Sequence, residues 1–357
     1  MALPVDLAGL TTNPAEAADI SQIVFEASFN RPELNAIHYV DTGVEMDRYI
    51  PILGNFGLIG KIDPGGCSSN TETGQIPTSE KEWTPKLISF REIVCGTDVP
   101  ANFKAWKRAR IANKTWEMVN DELMAFIADK TQDAIDRSII RIAEFGDTTA
   151  SPIGDATGNQ LLTSGTTKTY FNMLNGMWQQ IIADGVGSQL MYRYTIAENA
   201  LLNKTAQMEL ASDAALNVLR KLYNNIDSRA NEGNLTFQIT KSLFDNWQDF
   251  IEDKSLVFML TQTEQGSTTW SYRGIPIVVR KDWDRIIKTY FDLGDTYYLP
   301  HRAILCDIAN IPIGTSDEES LHTFSSIYDP ITKKHYLDGA YKLDMKILLE
   351  YAMAVAY

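Results

Sequence analysis

The stretch Trp116–Asp147, WEMVNDELMAFIADKTQDAIDRSIIRIAEFGD, decides the fold class. It lies within a window, Pro100 to Gly146, that contains no glycine or proline between its ends. Trp116, Val119, Leu123, Phe126, Ile127, Ile135, Ile139 and Ile142 recur at mostly three- and four-residue steps with charged residues between them. That spacing predicts an amphipathic helix over residues 115–145, interrupted near Thr131. About 28 residues at 1.5 Å of rise would make it roughly 42 Å long. Phe145-Gly146-Asp147 supplies the stop, with Gly146 able to take the left-handed conformation. A helix nearly as long as a domain is not wrapped on all sides, so it is expected to run as a spine along one edge.

Upstream the composition changes. Tyr49 to Leu58 reads as an apolar strand broken by Gly54 and Gly57. Gly60, Asp63-Pro64-Gly65-Gly66 and Ser68 to Gly74 then form a polar, turn-rich tip, and Leu87–Val94 is a second β-prone run. Residues 47–97 are therefore expected to protrude as a long hairpin, with roughly twenty residues per leg at about 3.3 Å each reaching about 60–65 Å. A lone hairpin is marginal in water, so a neighbouring subunit is expected to support it. Residues 1–46 carry Pro4, Pro14, Pro32 and one short amphipathic run around Ile20, Ile23, Val24 and Phe25. They read as an N-terminal arm whose partner comes from elsewhere.

Downstream, residues 98–168 hold the spine and a Gly-, Ser- and Thr-rich boundary. Residues 169–333 begin as a helical lobe. One helix carries Met173, Met177, Trp178 and Ile181, a second opens at Ser212, and a third is capped by Thr240 and bears Leu243, Trp247 and Ile251. Strands follow at 256–260, 270–272, 275–279 and 303–308, and an alternating tail runs from Tyr341 to Tyr357. This mixed order predicts an α+β protein of more than one lobe, consistent with 357 residues.

With 44% hydrophobic and 22% charged residues the chain reads as globular, and a formal charge of −14 argues against a broad grip on nucleic acid. No signal peptide or run of about 18 apolar residues is visible, so no membrane contact is expected. Cys67, Cys95 and Cys306 give neither a disulfide framework nor a zinc spacing, and the four histidines are scattered. No phosphate loop, dinucleotide fingerprint or nucleophile elbow occurs. Cys306-Asp307 after His301 reads as a buried strand rather than a thiol nucleophile, and Asp317-Glu318-Glu319 as a solvated turn. No catalytic, cofactor or metal site is expected, and the protein is not expected to be an enzyme. One basic cluster, Lys104, Lys107, Arg108, Arg110 and Lys114 around Trp106, offers either a solvated helix face or a docking patch for acidic residues of a neighbour.

Several strings carry a resemblance. Trp83-Thr84-Pro85-Lys86-Leu87, Phe145-Gly146-Asp147-Thr148 and Asn175-Gly176-Met177-Trp178 are similar to capsid chains of phages infecting Bacteroidetes-type hosts. Tyr272–Val278, Ala303-Ile304-Leu305 with Asn310–Thr315, and Asp344–Leu349 with Met353-Ala354-Val355 resemble later strands of the same family, the major capsid proteins of tailed bacteriophages. The resemblance implies a tailed-phage capsid fold with an N-arm, an extended loop at 47–97 and a peripheral domain around the spine. An axial domain would fill most of 169–333, and a strand at 334–357 would return to the junction of the two. It further implies self-assembly into hexamers and pentamers of an icosahedral shell around double-stranded DNA, without sequence-specific binding. A separate scaffolding protein, a portal and decoration proteins are the implied partners, and the virion, assembled in a host cytoplasm, the implied location. Gly65, Gly66, Trp83, Lys104, Lys107, Arg108 and Arg110 are the candidate intersubunit contacts. Two other functions stay open at this point: a nanocompartment shell of the same fold, and a cytoplasmic enzyme with a glycine-rich lid at 54–74.

Overall fold

A computed structural model describes residues 24–25, 27–44, 49–53, 78–95, 120–155, 159–183, 191–230, 234–254, 260–262, 268–315, 323–329, 331–332 and 334–357. The first part of the chain holds α1 (Pro32–Asn35), β1 (Val40–Asp41), β2 (Tyr49–Leu53), β3 (Thr78–Glu82), β4 (Lys86–Cys95) and the long helix α2 (Asn120–Phe145). The middle holds β5 (Ser151–Pro152), β6 (Leu161–Leu162), α3 (Met177–Ala183), β7 (Tyr192–Tyr194), α4 (Lys204–Met208) and α5 (Ala214–Asn225). It continues with β8 (Leu235–Thr240), α6 (Lys241–Asp253), β9 (Leu260–Gln262), β10 (Thr268–Tyr272), β11 (Ile275–Arg280) and α7 (Lys281–Tyr290). Last come β12 (Ala303–Asp307), β13 (Ile313–Gly314), β14 (Thr323–Asp329), β15 (Lys334–Met345) and β16 (Met353–Ala356).

Helix α2 ends at Phe145, where the hydrophobic spacing ends. Thr131 does not interrupt it, because its hydroxyl donates to the Ile127 carbonyl at 2.9 Å and stays within the helix. Its last turn is not an edge feature: Ile142, Ala143, Glu144 and Phe145 are all fully buried. Gly146 is not left-handed, since it is absent from the positive-φ glycines. The residue is needed for close approach instead. A Cβ there would lie 2.5 Å from the Ile142 carbonyl oxygen and 2.6 Å from that of Leu174, while one on Gly176 would lie 2.7 Å from the Gly146 nitrogen. The two backbones cross here and bond directly, Gly176 N–H donating to Gly146 O at 2.8 Å.

A seven-stranded mixed sheet, in the order β7-β16-β12-β8-β11-β10-β9, separates two hydrophobic cores. Side chains alternate across a strand, and here each set finds a different core. Ile304, Cys306, Met353 and Val355 face the core built with α2, α3 and α7. Ala303, Leu305, Ala354 and Ala356 face the core built with α5 and α6. Edge-to-face indoles fill both sides, Trp178 against Trp283 at 5.1 Å and Trp247 against Trp270 at 5.7 Å. The N-terminus of α6 departs from expectation. Thr240 holds the cap position without a side-chain cap bond, and Asp284 of α7 accepts the Lys241 N–H at 2.6 Å.

Two expectations for the early chain are corrected. The run Leu87–Val94 is a strand, observed as β4, but it is not the second leg of a hairpin with β2. That leg is β3, paired antiparallel from Tyr49↔Glu82 to Leu53↔Thr78. Strand β4 instead pairs along its whole length with β15, from Lys334↔Cys95 to Leu343↔Lys86. The second concerns the leading segment. Residues 1–23 lie outside the described residues, but from Val24 onward the segment is packed on its own chain. Val24, Phe25, Phe29, Leu34, Ile37 and Val44 are buried, and Phe25 and Phe29 stand 5.9 and 6.2 Å from the Tyr341 ring. Six buried apolar side chains favour the segment's packing on its own chain.

Candidate interaction surface

Among the described residues, the outer face of the sheet β4-β15-β14 carries several exposed apolar side chains. Its inner face is anchored: Ile88, Leu337, Tyr341 and Leu343 are buried, and Phe90 lies across Gly339, where a Cβ would come within 2.3 Å of the ring. Just before β4, Trp83 is buried against Gly314, and the Asp344 carboxylate accepts the Thr84 N–H at 2.7 Å. The Lys81 ammonium donates to the Ile347 carbonyl at 2.6 Å and pairs with Glu350 at 3.6 Å.

Register fixes what the outer face presents. One row across the three strands is Ile93, Tyr336 and Ile327, and the next is Arg91, Asp338 and Ser325. Ile93 and Ile327 are half exposed, Leu87 on the same face is 63% exposed, and Ile331 in the turn between β14 and β15 is 90% exposed. Between the apolar positions Arg91 grips Asp338 through two bonds, at 2.5 and 2.7 Å, with its guanidinium 5.9 Å from the Tyr336 ring. Asp338 holds the Arg91 guanidinium above its ordinary range, chiefly through this hydrogen bonding. An apolar row beside a satisfied ion pair makes a face that adhesion can cover without stranding a charge.

The residues named from the sequence are not brought together among the described residues. Gly65, Gly66, Lys104, Lys107, Arg108 and Arg110 lie outside them, and Trp83 is 1% exposed, packed within its own chain. The exposed row was hidden in the sequence because β4 carries apolar side chains on both faces. Alternation in Leu87–Ile93 does not say which set points inward until the pairing with β15 is known.

The Cys306 thiol is fully buried and pushed far above its ordinary pKa by burial. His301 donates from Nε2 to the Gln207 carbonyl at 2.6 Å and takes Ser242 Oγ–H on Nδ1 at 2.8 Å, with burial lowering its pKa. Among the described residues no group of acidic, histidine or cysteine side chains could hold a metal ion, and no helix is long and apolar enough to cross a membrane.

The described fold has relatives among solved structures. A chain of the satellite phage P4 procapsid matches 94% of this chain and 97% of its own length, at 11% identity and a TM-score of 0.51. A chain of Gordonia phage Cozz matches 90% of this chain and 85% of its own at 12% identity and a TM-score of 0.49. A capsid chain of an empty GTA particle matches 90% and 88%, at 12% identity and 0.45. No protein-family model and no curated protein matches the chain. At this identity the likeness to the P4 procapsid chain shows a common fold, that of the tailed-phage major capsid proteins.

Proposed function

We propose that this chain, with the fold of tailed-phage major capsid proteins, is a structural shell subunit that closes with its own copies into hexamers and pentamers and encloses double-stranded DNA in a virion. The observation that carries the reading is the outer sheet face, where Leu87, Ile93 and Ile327 stand exposed around Tyr336 on the edge strands β4 and β14, each paired with β15. Side chains of this kind gain roughly 1.5–3 kcal/mol each when fully buried, and repetition over many copies multiplies the gain. A formal charge of −14 suits a container wall, since a wall that held phosphate would resist filling and release.

The reading is structural and not catalytic. The sheet β4-β15-β14 with α2 would form the peripheral part of the subunit, and the lobe of α5, α6 and β8–β11 the part nearer a capsomer centre. A separate scaffold, a portal and decoration proteins would be its partners. The test is electron microscopy of the purified chain, alone and with a co-expressed scaffolding protein, against the double variant Ile93→Glu, Ile327→Glu. Wild-type chain is expected to give hexamers or closed particles, and the variant to remain monomeric with an unchanged circular dichroism spectrum. A wild-type chain that stays a monodisperse monomer with scaffold present, or a variant that assembles equally well, overturns the proposal.

A further inference from the structure

Asn175-Gly176 is the only Asn-Gly pair in the sequence, and it carries a chemistry that the fold holds in check. In a flexible chain the backbone nitrogen of the glycine, once hydroxide has taken its proton, attacks Cγ of the asparagine side chain. An N–Cγ bond forms, the Cγ–Nδ2 bond breaks, and ammonia leaves with a proton taken from water. Water then opens the cyclic imide at either carbonyl. Opening at Cγ gives an ordinary aspartate. Opening at the backbone carbonyl gives an isoaspartate, whose main chain runs through the side-chain carbons and is longer by one methylene. Glycine favours the closure because it has no Cβ to crowd the nitrogen and leaves the backbone free to turn.

Each atom of that closure is tied down in the folded chain. The Gly176 N–H donates to the Gly146 carbonyl at 2.8 Å. Asn175 Oδ1 accepts the Thr148 N–H at 3.0 Å and the Thr148 hydroxyl at 2.7 Å. The Asn175 backbone carbonyl accepts from Gln180 Nε2 at 2.7 Å. The attacking nitrogen is thus bonded to one partner and the side chain it must reach is pinned to another. Asn175 is exposed but Gly176 is buried, and Leu174, Met177 and Trp178 around it are buried as well. Baring the Gly176 N–H to hydroxide therefore requires the crossing with the end of α2 to part and the core beside it to open.

The two products fit the fold differently. An aspartate at position 175 keeps the acceptor oxygens that Thr148 needs and the native length of backbone. An isoaspartate puts an extra carbon into the main chain where no carbon fits. A Cβ built on Gly176 would lie 2.7 Å from the Gly146 nitrogen, 2.8 Å from the Ala143 carbonyl oxygen and 2.9 Å from the Glu144 backbone carbon. We propose that Asn175-Gly176 is a conformationally gated deamidation site: closed in the folded chain, it reacts only when the crossing of residues 146 and 176 has come apart, and its isoaspartyl product cannot re-form that crossing. A folded chain is thereby chemically durable, and one that lingers unfolded loses the ability to fold. The inference uses only contacts within one chain and stands apart from the shell reading.

The test uses full-length chain and a peptide of residues 170–180, both held in mildly alkaline buffer. Isoaspartate at position 175 is located by peptide mapping, which separates it from any formed at Asp184-Gly185 or Asp338-Gly339. Residue 175 of the folded chain is expected to react at least about a hundredfold more slowly than in the peptide, as for an amide bared only by opening of a core. Chain aged in urea and then diluted is expected to divide into native molecules free of isoaspartate at 175 and a misfolded fraction enriched in it. Freshly prepared Asn175→Asp, which has the normal linkage, is expected to fold as fully as wild type. Equal rates in folded chain and peptide overturn the inference, as does isoaspartate at equal abundance in the native and misfolded fractions. Failure of Asn175→Asp to fold also overturns it, because the block would then lie in the charge and not in the linkage.

Discussion

At the scale of single residues, the crossing of Gly146 and Gly176 is a place where backbone meets backbone too closely for any side chain. The atoms that a Cβ would meet are backbone carbonyls and nitrogens, which have no rotamer by which to move aside. Gly176→Ala is therefore expected to lower the stability of the unassembled chain by about 2–3 kcal/mol, as overpacking does, read as a lowered urea midpoint at unchanged slope. The strings around both glycines were visible in the sequence, but their purpose was not. A glycine after a helix suggests a left-handed stop, and only the approach of residues 174–176 shows that it is the missing side chain that matters. The buried contacts of Glu144 with His38 and Arg280, and of Arg280 with Asp282, were equally hidden. No spacing rule joins residues that come from the segment after α1, from α2, from β11 and from α7.

At the scale of elements, the long helix was legible because its signal is local: a gap in glycine and proline, and a 3.6-residue period, need no partner to be read. Strand β4 was legible as a strand for the same reason. Its partner was not, because Arg91↔Asp338 and its neighbours join positions some 250 residues apart, about 247 for that pair. The nearer β-prone run looked like the natural mate, and the short strand Thr78–Glu82, with polar TSEKE composition, gave no hydrophobic alternation to announce itself. The β4-β15 pair also depends on one glycine. Phe90 fills the space over Gly339, which restores the apolar area that a glycine in a strand lacks. Gly339→Val is expected to expel the Phe90 ring and cost about 1–3 kcal/mol. The displacement would appear as loss of nuclear Overhauser contacts between the Phe90 ring and β15.

At the scale of the whole molecule, the two cores are not independent lobes, because one seven-stranded sheet is a wall of both. Neither face can dissolve without removing the support of the other, so a single cooperative transition is expected. Two tryptophan reporters test this: Trp178→Phe with Trp283→Phe shifts the signal toward the α5-α6 core, and Trp247→Phe with Trp270→Phe shifts it toward the core of α2, α3 and α7. Their urea curves, each referred to its own far-ultraviolet dichroism, are expected to coincide, and a gap between fluorescence and dichroism midpoints in either variant would reveal separate lobes. The mixed α+β character could be read in advance, yet the shared sheet could not, since strand order is a property of long-range pairing.

That sheet has a consequence for how the molecule is made. Strand β16, Met353–Ala356, follows every other strand of the sheet in chain order, yet it sits inside, between β7 and β12. A ribosome delivers residues in order, so a strand inside the wall arrives after both of its neighbours. Until then the edge of β12 stays unpaired and both cores lack Met353 through Ala356, a state in which nascent chains crowded on one messenger can adhere to each other. Slow emergence or chaperone cover over that interval would govern the yield of good subunits more than the stability of the finished fold.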